Sequence, residues 1–325
     1  MKRLISIGTW IVFGLAVLAP VAAHAQAWPA RTVRIVVPFP AGSALDLLAR
    51  MVAPRMQEAY GQPVVVENRV GANGMIGTEV VAHSPPDGYL IQVGTSGTHV
   101  TSIFLNKNVP YDPVKDFTPI TAAVEPATCV VVNPSLAVQS IRELIDYAKR
   151  NPGKLSYGTS GIGSVFHLAG ELFNQTAGVE LVHVPYKGVA PAMTDVVAGQ
   201  ILVNFTSVAD AMTHSKAGKV RMLAVLEPKR YPGLPEVPTV TETLSAFQKP
   251  ATWFGFLGPA GLPQPILARL NGEIVKAITA ADARAKLEGM GLNVIGNTPE
   301  QFSALIRSGI EQYGRIVKSA GIKPE

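Results

Sequence analysis

A strand, a loop of small residues and a helix follow one another directly in the stretch VRIVVPFPAGSALD over residues 33–46. Ser43 can cap the helix, Asp46 three residues later completes a pair of the capping-box type, and Gly42 allows a ligand to approach the backbone closely. The free N–H groups there lie at the positive end of the helix dipole, where a carboxylate or phosphate binds. A well-capped turn without a ligand has the same pattern, so this loop alone leaves both interpretations open.

Two more loops repeat the arrangement, in the stretches LSYGTSGIGS over 155–164 and YLIQVGTSGT over 89–98. Each predicted strand runs into glycines and hydroxyl side chains, and a helix is predicted over 164–176. The candidate binding residues in these loops are Thr95, Ser96, Thr98, Ser160, Gly161 and Ser164. Open parallel sheets bind ligands beyond the carboxyl ends of their strands, so three such loops predict a ligand cleft at that edge.

A catalytic interpretation of the same loops requires a serine nucleophile at Ser96 or Ser160. Both segments begin like the G-x-S-x-G elbow of serine hydrolases, but Thr98 and Ile162 replace its second glycine. That glycine relieves crowding around the serine, so a secreted serine hydrolase is the weaker hypothesis.

Cofactor motifs are incomplete throughout the sequence. Gly161 and Gly163 lack the third glycine of a dinucleotide loop, and His167 with Glu171 lacks further metal ligands. We therefore expect no cofactor and no metal. Tyr186 follows a predicted strand and can offer a hydroxyl group to the cleft, although packing explains this residue equally well.

The N-terminus predicts export from the cytoplasm. Two basic residues precede the apolar run over 4–18, and the small residues of Ala23-His24-Ala25 predict cleavage between Ala25 and Gln26. Without residues 1–25, 26 basic and 23 acidic residues leave a net charge of +3. This slight and scattered excess does not indicate nucleic-acid binding and fits a small anionic ligand better.

Strand-like and helix-like segments alternate along the rest of the chain, which predicts an α/β protein. A first domain is predicted over 26–125, a second over 126–227, and a return to the first over 228–325. The break at Glu125-Pro126 and the proline-rich segment over 228–238 mark the two crossings. Two crossings are typical of a hinged binding protein that closes on its ligand.

Many short motifs resemble the Bug-type receptors of tripartite tricarboxylate transporters, from about Trp28 to the C-terminus. They include PVVVENR over 63–69, PDGY over 86–89, PYDP over 110–113, HLAGE over 167–171, HVPYKG over 183–188 and AGIK over 320–323. The resemblance implies a type II periplasmic binding protein (Venus-flytrap) whose two domains are mostly parallel sheets flanked by helices. It also implies that a non-catalytic receptor delivers a small organic carboxylate to membrane permease subunits, and we expect this receptor to be a monomer.

In that family, backbone groups and ordered waters hold one ligand carboxylate between two loops. The matching positions in this sequence are Phe39, Ala41, Gly42, Ser43, Ser160, Gly161 and Ser164. We expect the far wall of the cleft near Thr95–Thr98, Tyr186, Phe205 and Thr206. Thr206 replaces an aspartate found in many members, which makes an amino-acid ligand less favoured. A sensor that signals ligand occupancy to a membrane kinase fits the sequence too.

Overall fold

The computed structural model describes residues 28–324. The predicted leader over 1–25 and its cleavage site therefore lie outside the described residues. No helix within the described part is long and apolar enough to cross a membrane.

The described chain alternates strands and helices around two β-sheets. The strands are β1 (Val33–Val37), β2 (Val64–Asn68), β3 (Leu90–Thr95), β4 (Phe117–Pro126), β5 (Thr128–Val132), β6 (Ser156–Thr159), β7 (Val182–Pro185), β8 (Val203–Ser207), β9 (Arg221–Val225), β10 (Phe254–Pro259) and β11 (Leu292–Val294). The helices are α1 (Ala44–Tyr60), α2 (Met75–Ala82), α3 (Ser102–Leu105), α4 (Ile141–Arg150), α5 (Val165–Ala177), α6 (Val189–Val197), α7 (Val208–Lys216), α8 (Gln264–Thr279), α9 (Ala281–Gly289) and α10 (Pro299–Ser319). The predicted α/β fold is confirmed.

The first sheet has the strand order β2-β1-β3-β10-β4-β11, and the second has the order β7-β6-β8-β5-β9. Helix α1 illustrates how the sequence produces these layers: Leu48, Val52 and Met56 lie on one face and are fully buried against the first sheet. Gly61 ends the helix in the left-handed conformation at φ 64°. The second sheet has its own core, which includes Tyr157, Phe173 and Phe205.

Most strands of each sheet run in one direction, as expected of mostly parallel sheets, and the remaining strands make both sheets mixed. Strands β1, β2 and β3 pair in parallel, as do β7, β6 and β8. Strand β5 pairs antiparallel with both neighbours in the second sheet, and β10 does so in the first. The chain enters the second sheet through β5 and returns to the first sheet through β10. Because both strands are antiparallel to the parallel strands beside them, each begins at the edge where those parallel strands end.

A buried ionic contact joins the two crossings. The chain passes from the first sheet to the second at Ala127 and returns between β9 and β10. Glu227 accepts the N–H of Thr128 at 3.0 Å and its hydroxyl at 2.6 Å, and its carboxylate lies 3.3 Å from the Lys249 ammonium. The domain boundaries at 125/126 and 227/228 stay a prediction that these crossings support.

Two elements were not expected from the sequence. Strand β11 has only three residues and lies at the edge of the first sheet, where it is too short to show a hydrophobic alternation. The hydroxyl-rich turn after β3 continues as a π-helical segment over Gly97–Thr101 and then as α3. This helical extension brings Ser102 and Asn106 to the side of the molecule where the two sheets face each other.

Candidate ligand-binding cleft

A cavity of about 370 Å³ lies between elements of the two sheets. Its lining consists of Asn73, Met75, Gly97, Thr101, Ser102, Leu105 and Asn106 from the first half, residues 160 and 162–165 from the second, and Lys323 near the C-terminus. The two halves touch at its edge, because a Cβ atom on Gly163 would overlap the side chain of Leu105. Among these described lining residues there is one cationic side chain and no carboxylate.

The start of α5 forms the second-sheet side of the cavity. Ser164 caps the helix and accepts the N–H of His167 at 3.2 Å, while the N–H of Gly163 donates to His167 Nδ1 at 2.9 Å. The first two amides of the helix, on Val165 and Phe166, have no acceptor among the described residues. Val165 lines the cavity, so the positive end of the α5 dipole, with its unused N–H donors, lies beside the cavity.

Ser160 and Gly161 shape the loop before α5. Ser160 lines the cavity, and Gly161 has φ +135°, a conformation that favours glycine. The Gly161 amide donates to Thr159 Oγ1 at 3.3 Å, and a Cβ atom on Gly161 would lie 3.2 Å from the Tyr186 carbonyl oxygen. The predicted residues Ser160 and Ser164 thus both line the cavity, and the positive φ of Gly161 sets the course of the loop between them.

The loop before α1 does not line this cavity. The Gly42 amide donates to Asp46 Oδ2 at 2.9 Å, and Asp46 also accepts from Arg50 and Asn68 at 2.9 Å each. The Arg50 hydrogen bond, with those from Gly42 and Asn68, lowers the pKa of Asp46 to about 2. Asp46 is buried and has a structural role in this loop, and its ligand contact stays a prediction. Ala41, Gly42 and Ser43 likewise lie outside the lining.

Phe39 supports the cavity wall from behind. A Cβ atom on Gly74 would lie 2.9 Å from Thr98 Cγ2 and 3.1 Å from Phe39 Cζ. Phe39 and Thr98 therefore meet beneath Gly74, whose neighbours Asn73 and Met75 line the cavity. The aromatic ring contributes to the site through these residues.

The hydroxyl groups of Thr95 and Thr98 are used inside their own turn. The Thr98 amide donates to Thr95 Oγ1 at 3.0 Å, and the Thr98 hydroxyl accepts the Thr95 amide at 3.1 Å. Both threonines and Ser96 are buried and do not line the cavity. The turn instead presents Gly97 and Thr101 to it.

Three residues of the predicted far wall also lie elsewhere. The Tyr186 hydroxyl donates to Asp195 at 2.7 Å, so it is held by α6. Phe205 is fully buried between Tyr157 and Phe173, because odd-numbered residues of β8 face the core. Thr206 faces the opposite side of the sheet and is fully buried as well.

The segment between β2 and α2 contributes Asn73 to the cavity, although no residue there was predicted to bind a ligand. Ala72 and Asn73 both have positive φ, at 44° and 51°, between two glycines that also have positive φ. Strained backbone of this kind is concentrated at functional sites. The sequence signal was the Gly-Ala-Asn-Gly motif over 71–74, which reads as an ordinary helix start unless the conformation of Asn73 is known.

Two stacked imidazoles lie beneath the α5 loop. The ring centroids of His167 and His183 are 3.7 Å apart with an angle of 10° between the planes. Burial lowers the pKa of each to about 4, and for His183 the neighbouring His167 adds to the effect. His183 Nε2 lies 2.7 Å from Thr159 Oγ1, just before the loop, and His167 accepts the amide of Gly163 near the end of the loop. The two histidines therefore contact the loop at its two ends. Across residues 28–324, no cluster of three or more His, Cys, Asp or Glu side chains could hold a metal ion.

Two α/β sheets joined by two crossings, with a polar cavity where helix starts from one half meet the other, define a two-domain solute-binding protein. The model of the tripartite tricarboxylate transporter family receptor matches residues 48–322. The chain belongs to this family of receptors.

Individual relatives agree with this assignment and with the predicted Bug-type resemblance. Protein BugT of Bordetella pertussis is 31% identical over 324 residues, which cover 99% of each chain. A solved structure of Rpa4515 from R. palustris with adipate has TM-score 0.78 and 36% identity, covering 92% of this chain and 100% of that chain. MatC (Rpa3494) from Rhodopseudomonas palustris with bound malate has TM-score 0.71 and 32% identity, covering 89% and 99%.

Proposed function

We propose that the chain captures a small organic carboxylate in the cleft and delivers it to a membrane permease. The observation that carries the proposal is the start of α5, where the amides of Val165 and Phe166 have no acceptor among the described residues and Val165 lines the cavity. A carboxylate satisfies such donors and interacts favourably with the helix dipole.

The rest of the lining fits an anionic, polar ligand. Ser160 and Ser164 place hydroxyl-bearing residues beside the amides, and Asn73, Thr101 and Asn106 face them from the other half. Lys323 adds one positive charge and no acidic side chain among the described lining residues opposes it. This arrangement favours an acid whose first carboxylate lies at α5 and whose other polar groups contact the first half.

The two ligand-bound relatives support the same ligand class. Adipate and malate are both small dicarboxylates, and the proteins solved with them share 36% and 32% identity with this chain. We therefore propose di- and tricarboxylates, with aromatic acids as a further class. The cavity volume lies in the range that suits small ligands.

Calorimetric titration tests the proposal with adipate, malate, citrate and benzoate. Adipamide serves as the matched control, because it keeps the carbon chain of adipate and lacks its charges. We expect at least one acid to bind and adipamide to bind far more weakly. Absence of binding by all four acids, or equal binding of adipate and adipamide, would contradict a carboxylate receptor.

Export and delivery form the second part of the proposal. The predicted cleavage before Gln26 and the receptor family together support a periplasmic protein that meets permease subunits of a tripartite tricarboxylate transporter, and we propose that it acts as a monomer. N-terminal sequencing of the periplasmic protein should begin at Gln26. Capture of the permease subunits from membranes by the liganded protein supports transport, whereas capture of a membrane kinase supports the sensor alternative.

The hydrolase alternative has a direct geometric requirement. A serine nucleophile needs a base within hydrogen-bonding distance, and no histidine among the described residues is hydrogen-bonded to Ser96 or Ser160. We propose that neither serine is catalytic. A fluorophosphonate probe should leave the wild-type protein unlabelled; labelling that disappears in Ser160→Ala would favour the hydrolase instead.

A further inference from the structure

His167 closes the loop before α5 in the same way that Asp46 closes the loop before α1. Each is the third residue of its helix, and each accepts the amide of the glycine just before the capping serine, at 2.9 Å. The hydrogen bond from the glycine amide to the third helical side chain is present at both helix starts, but the charge of the accepting side chain differs. Asp46 brings a carboxylate to its helix start, whereas His167 brings an imidazole.

The surroundings of His167 keep this imidazole neutral. The stacked ring of His183 disfavours a second positive charge, and burial lowers the pKa of both rings to about 4. Because the Gly163 amide donates to Nδ1, that nitrogen carries a lone pair and the ring hydrogen is on Nε2.

The other titratable groups packed against the pair are Glu171 and Tyr157. Glu171 Oε1 lies 3.8 Å from His167 Nε2, one helical turn further from the loop. The Tyr157 hydroxyl donates to the same carboxylate at 2.6 Å, and its ring lies 5.1 Å from that of His183. The acidic group is therefore on the Nε2 side of the ring, while the Nδ1 side faces the loop.

We infer that His167 is a positioning residue for carboxylate capture, which fixes the Gly163 amide without placing a negative charge at the start of α5. This inference rests on the proposed function. A neutral acceptor leaves the helix dipole available to the ligand, whereas an acidic one competes with it. Protonation of Nδ1 removes the acceptor and releases the loop from its support.

The variants His167→Asn and His167→Asp separate these two roles. Asp46 shows that a short side chain at this helix position reaches the corresponding glycine amide, so both replacements can form the bond. They have nearly the same shape and differ in charge. Circular dichroism and thermal unfolding establish that each variant is folded before titration.

The probe is adipate, or whichever of malate, citrate and benzoate binds the wild-type protein more tightly, titrated at pH 8. We expect His167→Asn to bind within about threefold of wild type. His167→Asp should bind roughly 10- to 30-fold more weakly, the scale of a charge at a partly buried helix terminus. Equal affinity of two folded variants would overturn the inference.

A pH series gives a readout that simple packing does not change. The affinity of wild type relative to His167→Asn should fall as the pH is lowered from 7 to 3.5, past the His167 pKa of about 4, because only wild type loses its acceptor by protonation. Protonation of the ligand affects both proteins and cancels in the ratio. A constant ratio contradicts the inference even if His167→Asp fails to fold. If wild type binds none of the acids, the proposed function itself is wrong.

Discussion

The starts of α1 and α5 share a capping serine, a preceding glycine and one hydrogen-bonding pattern, yet they differ in what they leave exposed. At α1 the buried carboxylate of Asp46 accepts the glycine amide and is itself held by Arg50 and Asn68. At α5 the acceptor is a neutral imidazole, and the first helical residue, Val165, lines the cavity. The first two amides of α1 also lack an acceptor among the described residues, so the two helix starts differ in the charge of the third helical side chain and in whether they adjoin the cavity.

The largest expected effect on binding comes from valine at Gly161. Gly161 has φ +135° and its Cβ position lies 3.2 Å from the Tyr186 carbonyl, so Gly161→Val must shift the loop that holds Ser160 and the α5 start. Losing two charge-assisted hydrogen bonds at about 1.5 to 3 kcal/mol each weakens binding about 100-fold or more.

Gly42→Val is the matched control for this substitution. Gly42 also has a positive φ, +81°, but no atom lies within 4 Å of its Cβ position and its amide already binds Asp46. The variant should lose stability through backbone strain of about 1–3 kcal/mol and keep its affinity once folded. Calorimetric titration of both variants distinguishes the loops; equal losses of affinity would mean that the α1 loop binds the ligand as well.

Replacing the acceptor of the α1 loop should affect stability more than binding. Asp46→Asn removes the charge that holds Arg50 and weakens the bond to Gly42, for an expected loss of about 1.5–3 kcal/mol of unfolding free energy. The affinity of the folded protein for the acid should change less than about threefold. Denaturant unfolding and titration check the two expectations separately, and a tenfold loss of affinity at unchanged stability would place Asp46 in the binding site.

Acidification should weaken the α5 loop before the α1 loop. The folded-state pKa of His167 and His183 is about 4, below the ordinary value of 6.5, so stability is present above pH 6.5 and is lost as the pH falls toward 4. Folding stability should therefore fall with decreasing pH across this window, because the unfolded chain binds more protons than the folded one. The Asp46 contribution is present above pH 3.8 and is lost only as the pH falls toward 2.

Thermal unfolding of wild type and His167→Asn between pH 7.5 and 4.5 measures this difference. The variant should lose less stability than wild type as the pH falls, because one neutral buried imidazole is gone. His99 is also buried with its pKa lowered to about 3, but it affects both proteins equally. Parallel pH dependence of the two proteins would show that His167 does not titrate in this range.

The smallest effects should come from lysines near the cleft. Lys323 lines the cavity but is exposed, so Lys323→Ala should weaken binding by less than about threefold at physiological salt. Lys187→Ala is the control, because Lys187 is exposed and lies outside the lining, and it should have no measurable effect. Loss of binding in Lys187→Ala would contradict a site built mainly from backbone amides.

The sequence predicted the elements on both sides of the cleft better than the contacts within it. The helix over Ala44–Tyr60 and the capping residues Ser43 and Ser164 follow from local patterns, which local chemistry determines. One of the hydrogen bonds that the Asp46 carboxylate accepts comes from Asn68, 22 positions away, and no local sequence pattern contains that contact. The burial of Phe205 depends on which face of β8 meets the core, which alternation leaves ambiguous in a buried strand.

Proline at the first position of each helix tests the central claim most directly, because it deletes one amide where proline fits the helix. Ser164 and Ser43 both have the extended backbone that a following proline requires, with ψ 156° and 160°. Titration of Val165→Pro with the acid that binds wild type should show a loss of about 10-fold or more. Ala44→Pro should bind within about threefold of wild type. The reverse order would contradict the claim that the carboxylate lies at the start of α5.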